Sequence, residues 1–583
     1  MNPLLRIKIL VILSILSFHV QLEGQQDCSA LKNENLVVHL PERVVSAGEE
    51  FYYNVKIYNI PALTSQFSSK VIYFSIHNMA GEQVYNWHNT VFNRNVSGKT
   101  IIPDTLSGGF YTLYVYTSFG RNFPLSNLFK TNILVTGLNT RLPERIDIPI
   151  IKTCDTRKPS NLLPRDDSIY IDISRQKYES REKAKMRISL PGAESLDSTL
   201  LSVSVCHVPS SAIDTLLKPK NTGVSDNIGF REQISGQFQP HYFENQGLLL
   251  RGILKEKATG IPLPNTIILL ALKDTLGVLD YAVTNEKGEF VFLLDELYEN
   301  NILLLHLPYN DYSSKNVSLE TDPGFITPEK TLSRKIFVPE EISELETLNR
   351  KLMMINEVFN TVSSDSSPEN RKPVISRLRF TPKPDYVIFP ADFMALPDFK
   401  EIAANILPAV KYRHRDGNYS LRLFDPETGL SWEKDALVLL NGVPFNNLGY
   451  LNQLGSREIK SVSVTKSKIF YGDITFHGIV SILTHDNKIP EDYLQQQFTI
   501  NNDTRSATNN RLLIQITSDE VNNRIQPLFH SLVYFNPSLT IFGKKEVEID
   551  FYTPDLKGTY RIEVKGIVNG EIPVSNEKLI TVQ

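Results

Sequence analysis

The segment Phe51-Tyr52-Tyr53-Asn54-Val55-Lys56-Ile57-Tyr58 alternates between two kinds of side chain over eight residues. A period of two belongs to a strand with one face in a core and the other outside it. Runs of this kind recur at short intervals, at Lys70-Val71-Ile72-Tyr73-Phe74-Ser75-Ile76 and at Phe110-Tyr111-Thr112-Leu113-Tyr114-Val115-Tyr116. Between them lie turn signals, Met79-Ala80-Gly81-Glu82 and the loop 103–109 with its Gly108-Gly109 end. Strands spaced in this way build a sandwich. Similar runs return near the C-terminus, at 532–537, 547–552 and 558–564. A chain of 583 residues is too long for one core, and roughly one domain per 150 residues gives about four. Its 24 Tyr and 30 Phe favour strands over helices, so the expectation is a mainly β, multi-domain protein.

Arg6 and Lys8 precede an apolar run from Ile9 to Phe18, and Leu22-Glu23-Gly24 offers a cleavage site. This predicts a secretory signal peptide over 1–24, too short for a membrane span. No later stretch has about 18 uninterrupted apolar residues, so no transmembrane segment is expected in the mature chain. A net charge of -4 gives no footprint for nucleic acid. Three cysteines, Cys28, Cys154 and Cys206, cannot all pair within one chain. Cys154 with Cys206 is the bridge to test, and buried free thiols are the alternative. The best helix spans 339–362, where Glu340 and Glu341 favour the first turn and Ile342, Leu345, Leu348, Leu352 and Ile355 repeat at helical spacing. A shorter one is expected at 399–406.

Resemblances divide the chain further. Leu106-Ser107-Gly108-Gly109-Phe110-Tyr111, Val115-Tyr116-Thr117 and Arg121-Asn122-Phe123 resemble a macroglobulin-type sandwich of the version found in exported proteins of Bacteroidota. Ile171-Asp172-Ile173, Tyr178, Arg181-Glu182-Lys183 and Ser202-Val203-Ser204-Val205 resemble the domain that follows it. Arg251-Gly252-Ile253-Leu254, the run 259–269 and Thr284-Asn285-Glu286-Lys287-Gly288-Glu289-Phe290 look like a carboxypeptidase-regulatory-like domain, with Thr259-Gly260 and Lys287-Gly288 as its hairpin turns. Leu437-Val438-Leu439-Leu440-Asn441-Gly442-Val443-Pro444, Ile459-Lys460-Ser461-Val462-Ser463-Val464, Phe470-Tyr471-Gly472 and the run 478–484 resemble the plug domain of TonB-dependent outer-membrane receptors. That family usually has Asp where this chain has Asn441. The order resembles one class of Bacteroidota envelope protein. It implies serial β-sandwiches (macroglobulin/Ig-like) plus a small α+β plug-like domain. The expected boundaries are 25–140 and 141–246 for two macroglobulin-like sandwiches and 247–310 for the regulatory-like one. A helix and linker occupy 311–370, the plug-like domain 371–488, and a C-terminal sandwich 489–583.

No motif supports catalysis. His-Glu-x-x-His, Gly-x-Ser-x-Gly and Gly-rich phosphate loops are all missing. None of the cysteines has the neighbours of the thioester on which macroglobulin protease traps depend. His477, His485 and His530 could converge, though their spacing does not show a metal site. His414, in the run 411–417, reads as part of a solvated strand end and turn. The expectation is therefore no enzyme, no cofactor and no metal. A receptor plug needs about 22 barrel strands around it, and the 95 residues after it do not suit them. The plug-like module then either works in another chain's barrel or has become an interaction domain, and the second is favoured. The expected role is a non-catalytic periplasmic binding or scaffolding component of an outer-membrane complex, with an integral β-barrel protein as partner. The alternative is a gating or accessory subunit of TonB-dependent uptake. The candidate interaction residues are Tyr111, Tyr114 and Tyr116, read as exposed aromatics, the loop 441–447 with Asn441, Gly442, Val443, Pro444 and Phe445, and Tyr471.

Overall fold

The computed structural model describes residues 34–59, 68–137, 142–149, 169–190, 199–217, 242–273, 278–294, 301–307, 316–322, 324–328, 333–359, 383–425, 427–494, 498–502, 512–523, 525–541, 546–570 and 572–583. The signal peptide, Cys28 and Cys154 lie outside them. The chain divides into two compact units. Unit one takes 1–246, 325–367 and 507–583, and unit two takes 247–324 and 368–506.

Unit one begins with the sandwich that the alternating strands predict. A three-stranded sheet of Glu34–His39, Glu50–Asn59 and Asn95–Ile101 faces a five-stranded one. The second sheet is ordered Val44–Ser46, Phe129–Thr136, Gly109–Thr117, Val71–His77 and Gln83–Thr90. Phe51, Tyr53, Val55 and Ile57 point into the core between them, against Phe74, Trp87 and Val115. Trp87 stacks on Phe74 with ring centroids 4.7 Å apart. Each such buried side chain contributes roughly 1.5–3 kcal/mol.

The second sandwich corrects the expected boundaries. One of its sheets contains Tyr170–Ile173, Lys183–Ser189 and Glu546–Tyr552. The other is ordered Lys177–Tyr178, Ile572–Val582, Gly558–Val568, Thr199–His207, Leu532–Ile541 and Ile514–Gln515. Segments assigned to separate domains at 141–246 and 489–583 thus share one core, with Met186, Val203, Val564 and Phe551 among its members. A strand pattern names the strand and its buried face but not the strand beside it, so pairing across more than 300 residues leaves no local mark. The helix forms at Glu340–Phe359 and packs Ile342 and Leu345 against Phe110, Leu134 and Ile213.

Unit two holds a small sandwich and a mixed-sheet module. Glu289–Leu294, Leu248–Glu256 and Val317–Asp322 make one sheet of the sandwich. Leu279–Val283, Ile267–Leu272, Asn301–His306 and Phe498–Asn502 make the other. The boundary at 310 is therefore too early, and the last strand comes from beyond the plug-like stretch. Gly260 and Gly288 both have positive φ, as their turns require. The mixed sheet is ordered Tyr386–Ile388, Ile459–Thr465, Ile479–Thr484, Leu437–Leu440 and Val443–Pro444. Leu437–Leu440 runs parallel to Ile479–Thr484, and the other pairs are antiparallel. The short helix forms at Phe399–Asn405, capped by the Asp398 carboxylate, which accepts from Glu401 N at 2.8 Å.

Candidate functional site

The three tyrosines read as exposed are buried, and that expectation is corrected. Tyr111 turns into the first core, and its hydroxyl donates to Ser107 O at 2.7 Å. Tyr114 and Tyr116 lie on the opposite face of the strand, which other parts of unit one cover. Tyr114 meets the ring of His77 edge-on at 5.5 Å. Tyr116 accepts a 3.0 Å hydrogen bond from Ile326 N and stacks on Tyr73. The Tyr73 hydroxyl in turn donates to the buried Glu244 carboxylate at 2.9 Å. Arg121 lies 3.9 Å over the Tyr242 ring. Residues 242–246 and 325–328, which flank the stretch of chain belonging to unit two, are thus fastened to this face. Alternation assigned the tyrosines two faces, and the rest of the chain covered the outer one.

The loop 441–447 is also mostly internal. Asn441 and Gly442 both have positive φ and join two antiparallel strands, as a two-residue hairpin turn with Asn-Gly requires. Asn441 is buried, and its Nδ2 donates to Thr484 Oγ1 and to Lys488 O, each at 2.8 Å. Its Oδ1 accepts from Thr484 N at 2.9 Å. Val443 and Phe445 join the module's core, and Pro444 O accepts from the Tyr493 hydroxyl at 2.8 Å. Only Asn446 and Asn447 of this loop are exposed. Tyr471 is half-buried on the hairpin formed by Ile469–Tyr471 and Ile474–Phe476. Its hydroxyl donates to Leu279 O at 2.8 Å and its ring meets Tyr281. Ile474 and Phe476 share a cluster with Leu269, Ala271 and Leu279 of the small sandwich.

The surface most suited to a partner escaped the sequence reading. Tyr386–Ile388 is an edge strand paired only with Ile459–Thr465 among the described residues. Val387, Phe389, Phe393 and Met394 stand exposed on and beside it, Met394 by 78%. An open sheet edge next to exposed apolar side chains is a template for an added strand. The signal in the sequence was the excess of apolar residues in Tyr386-Val387-Ile388-Phe389-Pro390 and in Phe393-Met394, without the alternation of a half-buried strand.

A second polar locus lies within unit one, where the outer face of the first sandwich meets the second. His39 is completely buried, with Nδ1 and Nε2 each 2.8 Å from a serine hydroxyl, Ser202 and Ser204 respectively. Glu563 lies 3.5 Å from His39 Nε2, 2.8 Å from Lys565 Nζ and 3.7 Å from Arg43. Burial alone would raise the Glu563 carboxyl, but Lys565, Arg43 and His39 hold it well below its usual range. A cavity of about 90 Å³ beside it is lined by Glu42, Arg43, Ser46, Glu49, Cys206, Asn349, Ser531 and Arg561, among others. Cys206 is a buried free thiol, raised by burial, and donates to Pro41 O at 2.8 Å.

Ser204, His39 and Glu563 bring a hydroxyl, an imidazole and a carboxylate together, but Ser204 and His39 have no exposed surface. Among the described residues no group of three His, Cys, Asp or Glu gathers as a metal would need. His477 packs edge-on to Trp432, His485 is exposed, and His530 belongs to unit one. The strand Val410–Arg415 becomes exposed at Arg413, His414 and Arg415 before the turn at Asp416-Gly417, as expected. No described helix is long and apolar enough to cross a membrane.

No protein-family model matches the chain, and no curated protein matches it. Solved structures similar to it include bacterial alpha-2-macroglobulins. A mutant form from Salmonella is 8% identical, with a TM-score of 0.22, covering 94% of this chain and 39% of its own. The trypsin-activated protein from Escherichia coli is 9% identical, with a TM-score of 0.22, covering 94% and 41%. The native conformation of the Escherichia coli protein is 10% identical, with a TM-score of 0.23, covering 95% and 40%. The chain spans about two fifths of the length of those proteins. Likeness at that level decides nothing about activity or partners. The mainly β class, with sandwiches in series, rests on this chain's own sheets.

Proposed function

We propose that this chain is a non-catalytic binding and scaffolding component of an outer-membrane complex, acting from the periplasmic side on an integral β-barrel protein. The observation that carries the reading is the open edge at Tyr386–Ile388 with Val387, Phe389, Phe393 and Met394 exposed around it. An extended periplasmic segment of a barrel protein would add to that edge by main-chain hydrogen bonds, with the apolar side chains giving selectivity. The sequence resemblances to envelope proteins of Bacteroidota, to a regulatory-like domain and to a receptor plug supply the compartment and the class of partner.

The build of unit two favours scaffolding over gating. Phe498–Asn502, which follows the plug-like module, hydrogen-bonds to Asn301–His306 in the small sandwich. The hairpin carrying Tyr471 packs on the same sandwich. Insertion of the module alone into a barrel lumen would strip a strand from one sheet and expose a shared apolar cluster. The test is capture of outer-membrane proteins by the full chain after gentle detergent extraction, comparing the parent with Phe389→Asp/Phe393→Asp. Loss of a co-purifying barrel protein with unchanged thermal unfolding supports the reading. Equal recovery by both chains rejects the edge as the docking surface.

A further inference from the structure

The three-stranded sheet of the first sandwich has an outer face that would meet water if the sandwich stood alone. In unit one that face is buried against the second sandwich, and most of what lies between is polar. Lys56, with no exposed surface, donates from Nζ to Asn54 and, at 3.2 Å, to Pro537 O of the second sandwich. Asn95 Nδ2 reaches Ser538 Oγ at 3.0 Å, and Lys565 Nζ reaches back to Val38 O at 3.4 Å. With the His39 contacts to Ser202, Ser204 and Glu563, these bonds line the seam. Among the described residues the apolar part is small: Cys206, Leu532 and Phe535, with Tyr52, Leu512 and Ile514 packed on them. Two cations, Arg43 and Lys565, lie on the carboxylate of Glu563, and Lys56 acts on the neighbouring His39. Charges taken out of water recover little net free energy from one another, and polar contacts between domains behave as joints rather than as cores.

We propose that this seam is a proton-linked joint, along which the first sandwich parts from the second while both stay folded, and that His39 and Glu42 change proton occupancy on opening. His39 faces Lys56 and Arg43 of its own sandwich and Glu563, Lys565, Ser202 and Ser204 of the other. Burial, against the pull of Glu563 and reinforced by the cations, pushes its imidazole down to about 3. Opening returns it to about 6.5, so protons favour the open joint as pH falls below about 6.5. Glu42 faces Ser531, Cys206 and Tyr560 of the second sandwich and Glu49 of its own. Burial lifts its carboxyl to about 7, with Glu49 adding to the rise and the Ser531 hydroxyl opposing it. In the open joint it returns to its ordinary 4.5, so it favours opening as pH rises from 4.5 to 7. The two groups oppose each other. Between pH 7 and pH 5, His39 favours opening by roughly 25-fold and Glu42 favours closing by roughly 40-fold. Lys56 and Lys565, lowered by burial, act in the direction of His39, and Glu563 joins them below its ordinary range.

Cys206 supplies the reporter, because its thiol is buried in the seam, where it donates to Pro41 O. In a full chain carrying Cys28→Ser and Cys154→Ser, the rate of maleimide labelling divided by the rate for the unfolded chain at the same pH gives the opening constant. Fluorescence of Trp87, in the first core, reads unfolding of that sandwich in a Trp432→Phe background. The proposal expects opening at least 100-fold more populated than that unfolding. It also expects the opening constant of Glu42→Gln, relative to the parent, to rise roughly 40-fold from pH 7 to pH 5. For His39→Gln the same ratio falls roughly 25-fold. The opposite signs allow either variant to decide if the other does not fold. Labelling of Cys206 only at the rate of unfolding overturns the joint, and variants that keep the parent's pH profile overturn its linkage to protons.

Discussion

Replacing Asn441 by Ala separates an architectural role from a recognition role. The substitution deletes the donors to Thr484 Oγ1 and Lys488 O and leaves the Thr484 N–H facing a methyl group. Thr484 Oγ1 keeps its bond to Asp486 Oδ1 at 2.8 Å, so the main losses are the Thr484 N–H and the Lys488 carbonyl. A buried polar group left without a partner costs about 1–3 kcal/mol. Ala must also hold the left-handed φ of 49°, which Asn tolerates and Ala resists by about 1 kcal/mol. The sum is about 3 kcal/mol against unit two. Trp432 is half-buried in that unit, with Nε1 donating to Lys466 O at 2.9 Å. In a Trp87→Phe background it is the single tryptophan, so its fluorescence in urea follows unit two. With a slope of about 2 kcal/mol per molar, the midpoint falls by about 1.5 M. Asn441→Gly, which relieves the backbone cost but not the lost bonds, recovers about 1 kcal/mol of this. Midpoints of both variants within about 0.3 M of the parent would refute the buried hairpin and return Asn441 to the surface.

Other outcomes follow from the same geometry. Gly288→Ala forces a Cβ to within 2.6 Å of Leu254 O at a φ of 72°, so the small sandwich loses about 2 kcal/mol or more, read as a lower urea midpoint. Tyr116→Phe leaves Ile326 N–H without its 3.0 Å acceptor and costs unit one about 1–2 kcal/mol, with faster hydrogen exchange at that amide. Asp555 is held below its ordinary range first by its hydrogen bond from Arg181, which also donates to Val521 O, Asn523 O and Gln526 O. A lowered carboxyl stabilises the fold above its ordinary value near 3.8 and loses that contribution as pH falls. Asp555→Asn therefore flattens the acid limb of unit one's thermal stability below about pH 4 and lowers stability at pH 7.

Much of the fold was legible because period-two patterning is a local property. The strand expected at 51–58 forms at Glu50–Asn59, and both expected helices form within three residues of their expected ends. Neighbourhood was not legible. Nothing near Leu532 indicates that its strand pairs with Thr199–His207, or near Phe498 that its strand completes the sandwich begun at Leu248. The same limit misplaced the candidate residues. Tyr114 and Tyr116 are on the outer face of their sheet, as alternation says, but that face is covered by sequence-distant segments. Lys56 shows it most sharply, since a lysine on the outer face of a strand reads as solvated and is wholly buried against the second sandwich. The edge at Tyr386–Ile388 was missed for the converse reason, since its apolar residues lack any period and stay exposed.

The proposed docking of an integral barrel protein on that edge is read by site-specific photocrosslinking in the outer-membrane fraction. A photoreactive residue at position 389 or 393 should crosslink to periplasmic segments of a barrel protein, while one at 470, on the exposed side of the hairpin, should not reach a barrel lumen. Crosslinks from 470 to lumen residues, with none from 389 or 393, would contradict the account.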